Sequence, residues 1–302
     1  MRNSWTRAVS AAVGLVFAAT SATAFEEPWA FARWKPVGDA PVFAGTAEGT
    51  WDRRIRERGF ILPDGGGFTL WYTGFDGDRP LKLALGRAVS DDGVFWRRDE
   101  RNPVFADAWT EDVFVARTDD GYQMFAEGRG DVAHRLTSPD GVRWVDHGAL
   151  DVRKTDGSPV GPGPLGTPSA VLKDDVWHLL YERGDLGVWL ATSRDMKVWT
   201  NVRDEPVLAR GPEPFDRAQI ALNQVVLRDG WYYGFYHALA DPAVRDWTTN
   251  LARSRDLIHW EKSPDNPIIG GNRSSAVLVT TPHGDRLYTM HPDVRLFEPA
   301  GD

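Results

Sequence analysis

The chain has 302 residues, 42% of them hydrophobic, and 35 lysines and arginines against 43 aspartates and glutamates, for a net charge of −8. That acidic balance argues against nucleic acid and anionic membrane surfaces as main partners, though a local basic pocket remains compatible with it. There is no cysteine, so thiol nucleophiles, thiolate metal sites and disulfides are all excluded.

Residues 1–24 read as an export signal. Arg2 and Arg7 supply the positive end, Ala8 to Ala19 the apolar stretch, and Ala22-Thr23-Ala24 the small-residue cleavage site. Cleavage leaves a mature chain from Phe25 with a net charge of −10, because only the two arginines are lost. No later segment is long and apolar enough to span a bilayer. The expected location is periplasmic or extracellular, without membrane contact after cleavage, and the oligomeric state is left open.

From Trp34 onward the chain repeats itself. Trp34 is followed by Pro41-Val42-Phe43, with no complete unit before it. The first full unit ends in Ser90-x-Asp92-x-x-x-Trp96 and Pro103-Val104-Phe105. In the second, Asp112 to Val115, a turn at Thr118-Asp119-Asp120-Gly121, Tyr122 to Ala126 and His134 to Thr137 lead to Ser138-x-Asp140-x-x-x-Trp144. The third carries Ser193-x-Asp195-x-x-x-Trp199 and Pro206-Val207-Leu208. The fourth runs through Asn223 to Leu227, Trp231 to Tyr236 and Asn250 to Arg253 to Ser254-x-Asp256-x-x-x-Trp260 and Pro267-Ile268-Ile269. A fifth, Ser274 to Phe297, stops after three strands.

Short aromatic and β-branched runs separated by Asp-Gly turns predict antiparallel hairpins, four strands to a unit. A period of about 50 residues marks a repeat architecture. A unit split between the chain ends predicts a closed ring. The expected fold is all-β: a single five-bladed β-propeller over 25–302, with four antiparallel strands per blade. The segment around Trp34 is expected to complete the last blade. The Ser-x-Asp phrases are expected to satisfy turn amides, and their tryptophans to pack between sheets.

Strand alternation places the heads of first strands and the ends of second strands together at one mouth. The second-strand ends supply Glu127, Glu182, His237 and His291, and the leading segments supply Asp52, Glu57, Glu111, Asp112 and Asp216. Asp52 and Asp216 are equivalent, each 20 residues before a second-strand tyrosine. Crowded carboxyl groups push one another's pKa values apart, the requirement for cleaving a glycosidic bond with an acid and a base. Trp51 and Trp109 precede such acids and offer flat faces for sugar stacking. Arg53, Arg129 and Arg183 adjoin acids and either pair with them or bind substrate.

The phrases Trp51-Asp52, Trp71-Tyr72-Thr73-Gly74, Ser90-Asp91-Asp92-Gly93-Val94-Phe95-Trp96 and Ser254-Arg255-Asp256-Leu257-Ile258-His259-Trp260 resemble those of the five-bladed β-propeller glycosidases, the superfamily of glycoside hydrolase families 43, 32, 62, 68, 117 and 130. The resemblance covers the mature chain. It implies an exported glycoside hydrolase acting on an oligo- or polysaccharide, with Asp52 as base, Glu182 as general acid and Asp112 or Glu111 as the acid that tunes them. Glu127 and Glu111 are rivals for the acid, and with Trp51, Arg53, Trp109, Arg183, Asp216, His237 and His291 they are expected to contact substrate. The family's Asp-Pro at the head of blade one is replaced by Asp52-Arg53. No cofactor is expected; part of the superfamily holds a structural calcium near the axis, but no dedicated ligand cluster is apparent in this sequence. Two other readings stay open. One is a glycan-binding propeller without catalysis. The other is a phosphorylase or transglycosidase, with Arg53, Arg54, Arg56 and Arg58 as its anion site.

Overall fold

The structure, a computed structural model, describes residues 28–46, 49–78, 81–161 and 163–301. The expected export signal, 1–24, lies outside them. The described residues form 22 strands and one short 3₁₀ turn, Pro214–Asp216.

Strand β1 (Trp34–Pro36) stands apart in sequence from the blade it joins. Blade one is β2 (Arg54–Asp64), β3 (Gly67–Phe75), β4 (Ala84–Ser90) and β5 (Arg97–Arg98). Blade two is β6 (Glu111–Thr118), β7 (Gly121–Gly128), β8 (Val132–Ser138) and β9 (Val145–Ala149). Blade three contains β11 (Gly166–Lys173), β12 (Val176–Glu182), β13 (Gly187–Ser193) and β14 (Val198–Asn201). It adds two short strands, β10 (Asp151–Arg153) beside β14 and β15 (Leu208–Ala209) beside β13. Blade four is β16 (Gln219–Arg228), β17 (Trp231–Leu239), β18 (Thr248–Ser254) and β19 (Trp260–Lys262).

Blade five consists of β20 (Val277–Thr281), β21 (Gly284–Thr289) and β22 (Arg295–Pro299), and β1 closes it. β1 pairs antiparallel to β22, with Trp34 opposite Pro299 and Pro36 opposite Phe297. The first strands β2, β6, β11, β16 and β20 touch in a closed cycle around the axis. The expected five-bladed ring, split between the chain ends, is therefore what the chain forms.

The repeated phrase builds the lower turns. In blade one, Ser90 Oγ accepts the Gly93 amide at 2.8 Å, and Asp92 Oδ1 accepts those of Val94 and Phe95 at 2.8 and 2.9 Å. Ser138 and Asp140, Ser193 and Asp195, and Ser254 and Asp256 repeat the arrangement. Three of these turns present their tryptophan to a ring on a neighbouring blade. Trp144 packs edge-on against Trp71 at 6.2 Å, Trp199 against Phe125 at 5.7 Å, and Trp96 against Tyr288 at 6.5 Å. Such pairs contribute about 0.5–1.5 kcal/mol each beyond their buried area.

Candidate functional site

Near the mouth each of the first three inner strands breaks register with its neighbour. The shifts fall between Arg56 and Phe60, Glu111 and Phe114, and Gly166 and Ser169. The residues at the breaks, Glu57, Asp112 and Thr167, take left-handed φ values of 48°, 47° and 42°. A bulge re-aims the side chain it carries, and a non-glycine residue in that region costs on the order of 1–3 kcal/mol. Three blades thus bear the same strain at the same height.

Glu57 and Asp112 join Glu127, Asp131, Glu182 and Asp185 around a cavity of about 220 Å³, with Arg56, His237 and Trp247 also on its wall. Glu127 and Glu182 arrive from the ends of β7 and β12 and converge on Gly166. A Cβ there would overlap Glu182 Oε1 and stand 2.6 Å from Glu127 Oε2, so any larger residue would push the two carboxyl groups out of place. The Thr167 amide donates to Glu127 at 2.9 Å, and the Asp185 amide donates to Glu182 Oε2. Glu111 lies opposite Glu127 across the strand pair and meets Arg56 at 2.7 Å.

Beneath this ring Arg58 is fully buried. Its guanidinium donates to the carbonyls of Asp112, Pro168 and Asn223, on three other blades, and its amide donates to Asp112 Oδ1 at 3.2 Å. It closes the axis below the cavity. Burial pulls its pKa down to about 10.

Burial and mutual repulsion raise the carboxyl groups above. Burial takes Glu182 up to about 8, with the charges of Asp185 and Asp112 adding to it, and takes Glu111 up to about 7 and Asp185 to about 6. Glu57 and Glu127 are raised, by burial first and then by Asp112. Asp112 is the charge all five of these groups feel. It is itself raised by burial, which the Arg58 charge beneath it and the Arg58 amide oppose. Carboxyl groups crowded this closely cannot all ionise together, and Glu182 among them holds its proton at neutral pH.

The sequence-predicted residues divide into two groups. Asp112, Glu127, Glu182 and His237 line the cavity, and Glu111 and His291 adjoin it through Arg56 and through Glu57 at 3.7 Å. His237 is held by Asn223 at 3.0 Å, and burial brings it down to about 3, a neutral imidazole. Asp52, expected as the base, lies elsewhere. It is buried, accepts from the Tyr72 hydroxyl and Arg98 Nε at 2.8 Å each, and is bonded by Thr46 at 3.1 Å. Burial pushes its pKa up, but these bonds outweigh that and leave it below the ordinary value.

Asp216 repeats the arrangement, with the Tyr236 hydroxyl at 3.3 Å and Lys262 Nζ at 2.5 Å. Arg53 faces Asp78 at 3.9 Å, and the Arg183 guanidinium lies over the Trp189 ring at 6.0 Å. Trp51 stacks on Tyr72, while the Trp109 indole donates to Glu111 at 2.7 Å. Neither tryptophan lines the axial cavity. Among the described residues no group of three histidines or carboxylates is arranged to hold a metal ion.

Asp131 and Asp185 were not singled out as site residues, and Arg58 was read only as part of a possible anion site, whereas its guanidinium is spent on three backbone carbonyls. Asp131 and Asp185 sit just past Glu127 and Glu182, with left-handed φ of 55° and 57°. Their spacing after a strand-end glutamate was the available signal.

No family model matches the chain. It is 28% identical to a 1,2-β-oligomannan phosphorylase of Thermoanaerobacter sp. (strain X514) over 230 residues, 70% of this chain and 73% of that protein. A glycosyl hydrolase from Bacteroides ovatus superposes with a TM-score of 0.76 at 17% identity, over 91% of this chain and 97% of the other. A structure from the glycoside hydrolase family 130 work on mannoside phosphorylases and on hydrolases of β-1,2 mannosidic linkages in Candida mannan gives 0.75 at 17%, over 91% and 97%. The chain has the five-bladed propeller fold of the glycosidase and phosphorylase structures it resembles.

Proposed function

We propose that the chain is an exported glycoside hydrolase cleaving a β-mannoside at the axial mouth, with Glu182 as proton donor and Asp112 as base. The observation that carries this reading is the wall of the cavity, where six carboxyl groups face one guanidinium, Arg56. Glu182, at about 8, holds its proton at neutral pH and suits the departing oxygen. Asp112, with Arg58 below it, carries the charge that activates water. The β-mannoside comes from the names of the similar proteins, and export from residues 1–24.

The relative's name favours phosphorolysis as a second reading. A phosphate dianion in this cavity would meet mostly carboxyl groups, and Arg56 is already engaged by Glu111 at 2.7 Å. Water needs no such charge balance. The test is turnover of a β-1,2-mannooligosaccharide with and without phosphate. Free mannose at equal rates in both supports hydrolysis; mannose 1-phosphate formed only with phosphate reverses the choice. On a dinitrophenyl mannoside, which needs little help from an acid, Glu182→Gln is expected to keep turnover and Asp112→Asn to lose it. The opposite pattern exchanges the two roles.

A further inference from the structure

We infer that the cleft between blades one and two is a second saccharide-binding site, which holds the part of a glycan chain that extends beyond the axial mouth. This rests on the glycan-cleaving reading above. The cleft measures about 640 Å³, within the range of roughly 300–1,000 Å³ common for ligand sites. Trp51, Trp109, Arg129 and His134 are among its walls.

Its polar chemistry suits a neutral polyol. His134 is buried, and its Nδ1 lies 3.1 Å from Asp146 Oδ1. A carboxylate oxygen accepts, so Nδ1 is the nitrogen engaged by Asp146 and Nε2 is the one left for a ligand. That Nε2 has no partner. A buried polar atom without a partner is costly, and a sugar hydroxyl, which both donates and accepts, satisfies it. Asp76, Asp107 and Asp146 offset Lys82 and Arg129 on the walls, so the cleft is not an anion site.

The cleft and the mouth are lined by adjoining stretches of the same two segments. Trp109 lines the cleft while its indole N–H donates to Glu111 at 2.7 Å. Gly128 and Arg129 line it directly after Glu127, and the Arg129 guanidinium lies over the Trp109 ring at 4.9 Å. A chain leaving the mouth along these two segments enters the cleft.

Ala106→Trp fills the cleft from an exposed position, and His134→Phe removes Nε2 while keeping an aromatic ring. Each is expected to lower kcat/KM for β-1,2-linked mannotetraose by about tenfold relative to 4-nitrophenyl β-mannoside, the loss of about one hydrogen bond. An unchanged ratio in both variants overturns the cleft and leaves the hydrolase reading standing. Calorimetric titration of mannotetraose into the Glu182→Gln protein, with and without Ala106→Trp, separates the other failure. Weaker binding with Ala106→Trp supports the cleft even if wild type shows no turnover. Binding of equal strength with and without it, or no binding at all, overturns the cleft.

Discussion

Asp52 and Asp112 are both buried aspartates near the top of the propeller, yet their surroundings give them opposite fates. Asp52 has a tyrosine hydroxyl, an arginine and a threonine to itself, and its charge is held below the ordinary range. Asp216 receives a tyrosine and a lysine in the same places. Asp112 shares the axis with five other carboxyl groups and is pushed up. Where each acid has its own cation, the charge is neutralised and the group serves the fold. Where acids outnumber cations, protons are held at unusual pH and chemistry becomes available.

The sharpest way to break this comparison is to remove one acid from each region. Glu182→Gln is expected to cost about 10²–10⁴-fold in kcat on a mannooligosaccharide without lowering the melting temperature. Asp112→Asn is expected to cost as much in kcat while also destabilising the fold, because buried Arg58 loses its counter-charge. Asp216→Asn is expected to do the reverse of Glu182→Gln. It leaves Lys262, whose side chain is only 16% exposed, without its counter-charge. Chemical denaturation should show a loss of about 2–3 kcal/mol with kcat essentially unchanged. Asp52→Asn should show the smaller loss, because Arg98 is 31% exposed and can turn to water. Loss of activity with retained stability in Asp52→Asn would return that residue to the site.

The same contrast explains what the sequence made legible. The Ser-x-Asp-x-x-x-Trp phrases are local: each satisfies its own turn and needs only one neighbour for its tryptophan, so blade count and closure could be read directly. Glu127, Glu182 and His237 followed from strand direction. The 20-residue spacing from Asp52 to Tyr72 and from Asp216 to Tyr236 was also visible, but it belongs to a structural motif. Arg98 and Lys262 each follow their aspartate by 46 residues, and Asn102 and Asn266 donate to the two tyrosines at 3.3 Å. That second spacing was the sign that these acids were already paired. The bulges were not legible. Regular alternation gives no hint that Glu57 and Asp112 take left-handed φ and turn to the axis.

Stability should follow pH in opposite directions in the two regions. Glu182 is raised from 4.5 to about 8, so its contribution is full below 4.5 and is lost as pH rises through about 8. Asp52 is lowered, so its contribution is present above its ordinary 3.8 and is lost as pH falls below that. Thermal melting of wild type is expected to decline from pH 5 to pH 9. Glu182→Gln, which cannot ionise, should flatten that decline and melt higher than wild type at pH 9. Parallel curves would mean that Glu182 is not raised in the folded protein.

The smallest effect tests the repulsion itself. Burial raises Glu182 most; the Asp185 amide bond opposes that, and the Asp185 charge adds to it. Asp185→Asn keeps the amide and removes the charge, so Glu182 should lose its proton at lower pH. The alkaline limb of kcat/KM, which reports the acid in the free enzyme, is then expected to move to lower pH. Asp185 does not touch the reacting bond in this scheme, so kcat at pH 6 should fall little. A limb that stays in place would assign the raised value of Glu182 to burial alone. A collapse of kcat at every pH would instead make Asp185 a member of the catalytic pair.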